Sequence, residues 1–583
     1  MKKLLVTLLA ASMCLSMLAG CGSSNDESQA TNDSTTTENS TTDKDSSEVT
    51  GDVELKEFTI LGDHASTYYK ADDLEEFEAI KSLRKLMEAK GVDLKIELVQ
   101  DDQYLTTLQT RFAAMNNVPM YAAMYRMTES EVMALAEQGI VLDINELLDL
   151  SDGTAKAFFT ENDFGVTAYN KVCTPDGNFY WLPNIYITKW EDSVGETGTN
   201  YGVNIRKDWL DKYNLTMPTT TDEFKNALKT FNTNDPSGSG VSAGMNVYSY
   251  NPCDWGDAIA QWFGLPRSIV GANWDEKKAV SPWHCDTVKD YFTYMQDLSA
   301  EGLIDPEMVG SNDQLNTKVA NNQVGASSTY ILATGWEPTI EAAFKADAAD
   351  CAEYVQIDPI EAVKGVTPLL ALEDPVYVWD EFVFTNQLTD KDLGAAFLDV
   401  YFSDEQIDLI NYGTEGVNYD VVNGEKVVKQ YTAAEDGKQF DADQLNQYLQ
   451  DKADQRLSYG KILYSRLITS DMNFYDLKKA AEGCVALGWA KDKYDAQEKT
   501  RNYGHWTSID VTGTLATASK EDADTVNMVW NDMVAASQQA ISALVLNQKS
   551  VDEIDSIVAT LDSAGLTEVE KVYQARYDRF LGK

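Results

Sequence analysis

Histidine is scarce in this chain, because only His64, His284 and His505 occur among 583 residues. This scarcity leaves little for histidine-based acid–base catalysis or metal binding. Seven cysteines are present, but they form no C-x-x-C pair and no Cys/His cluster, which argues against a zinc site. No H-E-x-x-H motif and no phosphate-binding loop occurs. The sequence therefore lacks the signatures of a metalloprotease and of a nucleotide-binding enzyme.

Positive charge is also in short supply. The chain has 47 Lys and Arg against 94 Asp and Glu, which gives a formal net charge of −47. A body this acidic repels phosphate backbones and anionic membrane surfaces, so nucleic-acid binding is excluded. The acidity favours solubility. It either favours neutral or cationic ligands or is a solvated surface with no bearing on the ligand.

The N-terminus has the order of a bacterial export signal. Residues 1–3 carry two lysines, and residues 4–17 are uncharged and mostly apolar. That stretch is shorter than the roughly 20 residues of a transmembrane helix and fits a secretory signal. Leu18-Ala-Gly-Cys21 then resembles a lipobox. We expect residues 1–20 to be removed and Cys21 to be acylated; the alternative is an ordinary signal peptide with a chance cysteine.

Residues 21–52 are rich in Ser, Thr, Asp, Glu and Asn and contain almost no large aliphatic side chain. Such a segment cannot bury enough apolar surface to offset its chain entropy, so we predict a disordered tether. Residues 53–583 are too long for a single typical core and predict at least two lobes. Five cysteines remain in this body, and the sequence leaves open whether they are disulfide-bonded or free: Cys173, Cys253, Cys285, Cys351 and Cys484.

Strand and helix patterns alternate along the body. Phe58–Leu61 and Leu94–Val99 read as strands, and Leu83, Leu86 and Met87 lie at helical spacing before Gly91. The alternation continues through Tyr104–Met115, Met120–Met124, Glu129–Gly139 and Asn145–Leu150, recurs from Tyr330 to about Tyr412, and is mainly helical beyond Ser458. This order predicts α/β lobes with largely parallel sheets.

Six segments, in order, carry a family resemblance. They are Lys56–Asp63, Gly177–Pro183, Pro218–Phe224, Gln323–Trp336, Ala395–Ser403 and Gln548–Glu553. Together they resemble the extracellular solute-binding protein family of carbohydrate importers. Tyr412–Tyr419 further resembles its long-chain branch, which includes lipoproteins proposed to bind uronate-containing oligosaccharides.

The resemblance implies a two-lobed α/β fold of the periplasmic-binding-protein type, with hinge crossings and a helical C-terminal region. We expect residues 53–183 and about 356–415 to form lobe 1, and about 184–355 and 416–583 to form lobe 2. The implied function is capture of a carbohydrate, an oligosaccharide in our interpretation, for an ABC permease. The implied state is a monomer without cofactor, lipid-anchored at the extracellular face of the cell membrane.

Two details concern residues 218–244. Thr221 or Asp222 offers a helix N-cap before Phe224. In the branch that binds alginate, a calcium loop follows, but here the matching stretch, Asp235–Gly244, keeps a single carboxylate. A hard cation needs several oxygen ligands and usually more than one charge, so we predict no calcium site.

The candidate ligand contacts combine the resemblance with residue chemistry. Asp63 and His64 follow the first strand, where the carboxyl ends of parallel strands open on a cleft. Aromatic rings cover sugar faces, while charged and amide groups bind hydroxyls. For each residue a core, cap or turn role is the alternative. The further candidates are Tyr125, Arg126, Trp190, Trp255, Trp336, Trp379, Asp380 and Glu415.

Three other functions compete with sugar capture. A peptide- or amino-acid-binding importer component would share the same architecture. A secreted glycoside hydrolase would need two carboxylates about 5–10 Å apart, which 94 acidic residues neither support nor exclude. A surface adhesin would favour β-rich repeats, which the sequence lacks. We expect a binding protein rather than an enzyme.

Overall fold

The structure is a computed structural model that describes most of the chain between residues 54 and 582. The described residues are 54–64, 78–124, 127–187, 189–190, 193–194, 201–238, 246–247, 258–266, 268–273, 276–305, 317–318, 321–330, 354–369, 371–372, 376–406, 409, 415–416, 419–428, 466–468, 508–509 and 516–582. The signal segment, the tether with Cys21, and the candidates Tyr125, Arg126, Trp255 and Trp336 lie outside them.

The described strands form three larger sheets and two hairpins. The strands are β1 (Lys56–His64), β2 (Val92–Gln100), β3 (Tyr121–Ala123), β4 (Leu182–Ile187), β5 (Lys189–Trp190), β6 (Ser193–Val194), β7 (Tyr201–Arg206), β8 (Asn246–Val247), β9 (Gly271–Asn273), β10 (Lys278–Val280), β11 (Ala326–Tyr330), β12 (Tyr354–Gln356), β13 (Ala371–Leu372), β14 (Val376–Phe384), β15 (Tyr419–Val422), β16 (Glu425–Val428), β17 (Arg466–Ile468) and β18 (Ser508–Ile509).

The described α-helices flank these sheets. They are α1 (Glu78–Glu88), α2 (Asp101–Ala114), α3 (Glu129–Glu137), α4 (Asn145–Leu148), α5 (Thr154–Glu161), α6 (Asp163–Val172), α7 (Lys207–Lys212), α8 (Thr221–Asn234), α9 (Ala258–Trp262), α10 (Val288–Ala300), α11 (Lys391–Tyr401), α12 (Lys520–Val545), α13 (Ile554–Ser563) and α14 (Leu566–Phe580). None of these helices is long and apolar enough to cross a bilayer.

The first lobe is built on a six-stranded sheet in the order β17-β4-β14-β3-β1-β2. Strand β14 runs antiparallel to both of its neighbours, and the other pairs are parallel. The chain leaves this lobe through β4 and returns through β14. Because a returning strand enters at the edge where the departing strand exits, β14 must run in the opposite direction. These adjacent strands are the crossings between the lobes.

Aromatic packing fixes the centre of this sheet. Phe58 of β1 stacks on Phe397 of α11 with ring centroids 4.4 Å apart, and Tyr121 of β3 stacks on Phe382 of β14 at 5.0 Å. All four rings are fully buried. Such pairs add about 0.5–1.5 kcal/mol each beyond their burial, so they stabilise the packing of β1 against α11 and of β3 against β14.

The second lobe contains the four-stranded sheets β12-β7-β11-β8 and β10-β9-β18-β13. The pairs β7–β11, β7–β12, β9–β10 and β9–β18 are antiparallel, so these sheets are mixed rather than largely parallel as the sequence predicts. Their strands are short, between two and six residues, and short strands carry too little pattern to reveal pairing direction. The α/β class itself is confirmed.

Arg206 anchors the second lobe at the end of β7. Its side chain is 2% exposed, donates to both carboxylate oxygens of Asp208 at 2.7 and 2.6 Å, and donates to Asn322 at 2.5 Å. Its guanidinium carbon lies 4.3 Å from the centroid of Trp209. The buried charge is therefore paired, hydrogen-bonded and stacked, which is the arrangement that offsets its desolvation.

Helix α12 joins the two hydrophobic cores. Ala523 near its beginning packs in the first core, whereas Met533, Ile541 and Leu544 pack in the second. Its 26 residues span about 39 Å at 1.5 Å per residue. The C-terminal region thus bridges the lobes. Strand β17 and Ala518 also belong to the first lobe, although the sequence assigns residues 416–583 to the second.

Local predictions hold with two corrections. The predicted strands and helices between residues 58 and 150 are all present, within a few residues at their ends. The N-cap of α8 is Thr220, whose hydroxyl accepts from the Glu223 amide, and not Thr221 or Asp222. The region beyond Ser458 contains β17 and β18 besides its three long helices.

Candidate functional site

The carboxyl ends of β1, β2 and β3 lie together at one edge of the first sheet. His64 is in register with Gln100, and Leu61 with Ala122. The β1–β2 ladder continues to His64, whereas the β1–β3 ladder stops at Leu61. A gap between adjacent parallel strands at their carboxyl ends is where α/β sheets bind ligands.

Two groups of candidates distant in sequence come to this edge. Asp63 and His64 end β1, and Trp379 and Asp380 lie in the half of β14 nearest the same edge, since Phe382 pairs with Ala123. Trp379 pairs with Asn184 of β4, and a bulge separates it from Phe382. Bulges re-aim side chains and occur often beside functional sites.

The remaining described candidates lie elsewhere along the chain. Trp190 pairs with Ser193 in the short β5–β6 hairpin that follows β4. Glu415 is exposed and precedes Gly416, whose φ of +79° favours glycine. The described contacts bring neither residue to the edge that holds Asp63.

In the second lobe, strands β7 and β11 share one ladder end. Tyr330, at the end of β11, pairs with Tyr201 at the start of β7. In the sequence, Tyr201 comes after the β4 crossing and the β5–β6 hairpin. Trp336 comes six residues after Tyr330 and lies outside the described residues.

A polar junction connects the lobes through α14. Arg576 donates to Glu129 of α3 at 2.8 Å and to the carbonyl oxygen of Ala516 at 2.8 Å. Arg579 donates to the Thr517 carbonyl, and the Lys171 ammonium lies 5.3 Å from the Phe580 ring centroid. Sequence analysis did not reveal this junction, because its members are distant in sequence and no local pattern links them.

Tyr104 is a further residue that sequence reasoning missed. Its hydroxyl oxygen lies 3.0 Å from the carbonyl oxygens of Leu61 and Ala123, close to the edge described above. In the sequence Tyr104 shares a helical face with Leu108 and Phe112 and reads as core. The phenol hydroxyl was the available signal, because a buried hydroxyl needs a partner.

The loop after α8 has few ligands for a cation. Asp235 caps the helix with φ +44°, and the Ser237 hydroxyl donates to its carboxylate at 3.3 Å. The Lys212 ammonium donates to the Pro236 carbonyl at 2.6 Å, so a positive charge already lies at this turn. Across the described residues, no group of three or more metal-ligating side chains forms a cation site.

One stretch, residues 240–244, reads G-V-S-A-G and so has the spacing of a hydrolase nucleophile elbow. That elbow requires a strand before the serine and a helix after it. Here α8 precedes the stretch and β8 follows it, so the local order is the reverse. The stretch itself lies outside the described residues.

The described thiols are not activated. Cys173 and Cys285 are free, and burial raises the pKa of each thiol to about 12. A nucleophilic cysteine needs a lowered pKa and a positive neighbourhood. These two thiols are therefore structural, and the other three cysteines of the body lie outside the described residues.

Comparison with known proteins identifies the family. The model of the family described as "Bacterial extracellular solute-binding protein" matches residues 71–408, more than half of the chain. A fructooligosaccharide ABC transporter substrate-binding protein, FusA, of Streptococcus pneumoniae is 24% identical over 302 residues, 50% of this chain and 52% of that protein. A polygalacturonan/rhamnogalacturonan-binding protein, YtcQ, of Bacillus subtilis is 25% identical over 356 residues, 58% of this chain and 63% of that protein.

A third relative is lipoprotein LipO of Bacillus subtilis, 29% identical over 231 residues, 38% of this chain and 44% of that protein. The matches thus span less than two thirds of each relative. Among solved structures, FusA in complex with kestose superposes with a TM-score of 0.65 at 18% identity, covering 90% of this chain and all of that one. The alginate-binding protein AlgQ2 without calcium ion gives 0.62 at 19%, covering 89% and 98%. The predicted two-lobed fold is confirmed.

Proposed function

The chain belongs to the bacterial extracellular solute-binding protein family, and on that premise we propose that it captures an oligosaccharide between its two lobes. The observation that carries this proposal is the family match over residues 71–408, which spans both crossings, β4 and β14. The names of two relatives, which specify fructooligosaccharide and polygalacturonan/rhamnogalacturonan, support a carbohydrate.

The proposed site is the gap between the edge of the first sheet and the strand ends of the second lobe. Asp63, His64, Trp379 and Asp380 would line it from the first lobe, and Trp336 from the second. Carboxylates accept hydrogen bonds from sugar hydroxyls, and indole rings cover the apolar C–H face of a pyranose or furanose. Tyr125, Arg126, Trp190, Trp255 and Glu415 remain candidates of the same kind.

The mechanism follows from two lobes joined by the β4 and β14 crossings and by the C-terminal helices. The lobes exchange between open and closed arrangements, and the ligand favours the closed one only through its extra contacts there. The closed form would then deliver the ligand to an ABC permease. Energy would come from a separate ATPase, since no phosphate-binding loop occurs in this sequence.

We further propose that Cys21 carries the lipid and that residues 21–52 tether the monomeric body to the outer face of the membrane. The order of charge, apolar run, small residues and cysteine in residues 1–21 supports this, as does the likeness to lipoprotein LipO. Expression with labelled palmitate tests it directly. Label should enter the native protein but not Cys21→Ala, and the variant should leave the membrane fraction.

A thermal-shift screen tests the ligand class. Kestose, oligogalacturonides, alginate oligosaccharides and tetrapeptides would each be added to the purified residues 53–583. A ligand at 100 times its Kd stabilises the native state by about 2.7 kcal/mol, which is readily seen as a higher Tm. A shift with peptides alone would replace the carbohydrate by a peptide. Recovery of shortened oligosaccharide after incubation would support a hydrolase instead.

A further inference from the structure

The hydroxyl of Tyr104 lies at the point where two neighbouring strands part. Its oxygen is 3.0 Å from the carbonyl oxygen of Leu61 in β1 and 3.0 Å from that of Ala123 in β3. The last paired residues of β1 and β3 are Leu61 and Ala122, so the Tyr104 hydroxyl contacts both strands at the point where their pairing ends. Tyr104 is 1% exposed and therefore contacts no solvent there.

Packing at this position requires only an aromatic ring, so the Tyr104 hydroxyl needs a separate explanation. A ring alone would fill the space beside Leu108 and Phe112, which share its helical face and are buried. A buried hydroxyl costs free energy unless it is hydrogen-bonded. The phenol has one hydrogen, which the two carbonyl oxygens at 3.0 Å share in a three-centre hydrogen bond, and this bond ties both strand ends to α2.

We propose that Tyr104 is a positioning residue for ligand binding, which holds the ends of β1 and β3 at a fixed separation. Two residues beyond Leu61 comes Asp63, which continues β1 in register with Val99 of β2. The position of this strand end relative to β3 sets which hydroxyls of a ligand Asp63 can reach. This inference rests on the proposed function, since it assumes that the ligand binds at this edge.

The test compares Tyr104→Phe with Tyr354→Phe. Tyr354 is the control, because it is 9% exposed and its hydroxyl also donates to a carbonyl, that of Val324 at 2.7 Å, while its ring lies beside Arg206. It pairs with Arg206, at the end of β7 opposite Tyr201. Both variants lose buried hydrogen bonds of a phenol hydroxyl, so both should lower Tm.

Only Tyr104→Phe should change the edge of the first sheet. We expect hydrogen exchange, followed by mass spectrometry, to accelerate in peptides that cover residues 61–64 and 122–126 and to stay unchanged in residues 56–60. Calorimetry with kestose and oligogalacturonides should show affinity weaker by about three- to tenfold in Tyr104→Phe and unaltered in Tyr354→Phe.

Each outcome decides the proposal. Exchange that accelerates evenly along β1, or not at all, overturns it, as does unaltered affinity of Tyr104→Phe for a probe that the native protein binds. If the native protein binds no oligosaccharide but exchange in Tyr104→Phe accelerates locally, Tyr104 still positions the strand ends, and the proposed carbohydrate ligand is wrong. The exchange measurement needs no ligand, so the two failures are distinguishable.

Discussion

Arg576 of α14 donates a 2.8 Å hydrogen bond to Glu129 at the start of α3, and so joins the second core to the first lobe. The Arg576 and Glu129 side chains are 12% and 31% exposed, so solvent screens the pair only in part. Because α14 packs on the second core, the contact fixes how the two lobes meet on this side.

Arg576→Ala should lower the free energy of unfolding by about 1–3 kcal/mol, because it removes a charge-assisted bond and the bond to the Ala516 carbonyl. Urea unfolding measures the loss. Lys571→Ala is the control on the same helix, since the Lys571–Glu568 pair is 64% and 58% exposed and should contribute about 0.5 kcal/mol or less. Equal losses in both variants would contradict a specific junction.

The contacts of His284 predict that its contribution to the free energy of unfolding depends on pH. A hydrogen bond to Glu570 and the nearby charge of Asp562 raise the pKa of this imidazole above its ordinary value of 6.5, against the effect of burial. Its two ring nitrogens lie 2.8 Å from Glu570 and 3.1 Å from Asp562. The imidazolium thus ties the short turn before α10 to helices α13 and α14.

Because the pKa of His284 is higher in the folded state, His284 stabilises the protein more at low pH than at high pH. The contribution is complete below pH 6.5, where His284 is charged in both states, and it is lost as pH rises through the pKa of the folded state. We expect His284→Gln to cost about 1–2 kcal/mol at pH 5.5 and less at pH 8.5, as measured by urea unfolding across that range. Glu570→Gln should remove most of the pH dependence. A cost independent of pH would show that His284 acts only by packing.

Arg206→Lys should destabilise the second lobe by about 2–4 kcal/mol although it preserves the charge. An ammonium cannot contact both oxygens of Asp208 and Asn322 in the fixed geometry of the guanidinium, and it loses the stacking on Trp209. Lys207→Ala is the neighbouring control, because its pair with Asp211 is on the surface, and it should be nearly neutral. Calorimetric unfolding compares the three proteins, and a neutral Arg206→Lys would contradict a role for bidentate geometry.

Calcium should leave the protein unchanged. In the turn after α8, Asp235 is the sole carboxylate between residues 234 and 238, and the Lys212 ammonium binds the Pro236 carbonyl. Few charges and a resident ammonium disfavour a hard dication. We expect Tm in millimolar calcium and in excess chelator to agree within about 1 °C. If calcium raises the Tm of the native protein and Asp235→Asn abolishes that rise, this turn does bind calcium.

Local patterns predicted the elements of the first lobe well. Phe58, Ile60 and Leu61 give β1 its buried run, and the alternation of Leu94, Ile96 and Leu98 gives the edge strand β2. The sequence determines the N-cap of α8 less well, because four consecutive side chains can each accept an amide hydrogen bond: Thr219, Thr220, Thr221 and Asp222. Only the geometry selects Thr220. Strand β17 has three residues, too few to show a period in the sequence.

The site was harder to predict than the fold. Asp63 could be chosen because it ends a strand, which is a local feature. That Trp379 lies near the same edge depends on β14 crossing back from the second lobe in antiparallel register, and no local pattern encodes that register. Tyr104 and Arg576 escaped notice for a related reason, since each acts through backbone carbonyls or a carboxylate far away in sequence.

Trp336→Ala provides the most direct check of the proposed site. If the indole stacks on a buried sugar face, its loss should weaken oligosaccharide binding by about 1–3 kcal/mol in calorimetry, because aromatic contact area is lost where water is excluded. Asp63→Asn should weaken binding less, since an amide still accepts one hydrogen bond from a hydroxyl.

The control for Trp336→Ala is Trp530→Ala. Trp530 of α12 lies parallel to Tyr573 of α14 with centroids 6.3 Å apart, on the helices that pack on the second core. Its loss should lower Tm and leave affinity intact, because this ring pair belongs to the helical scaffold and not to the strand ends at the crossing. If Trp336→Ala also lowers Tm without changing affinity, Trp336 is a core residue. The ligand would then be held from the first lobe chiefly by the groups around Asp63.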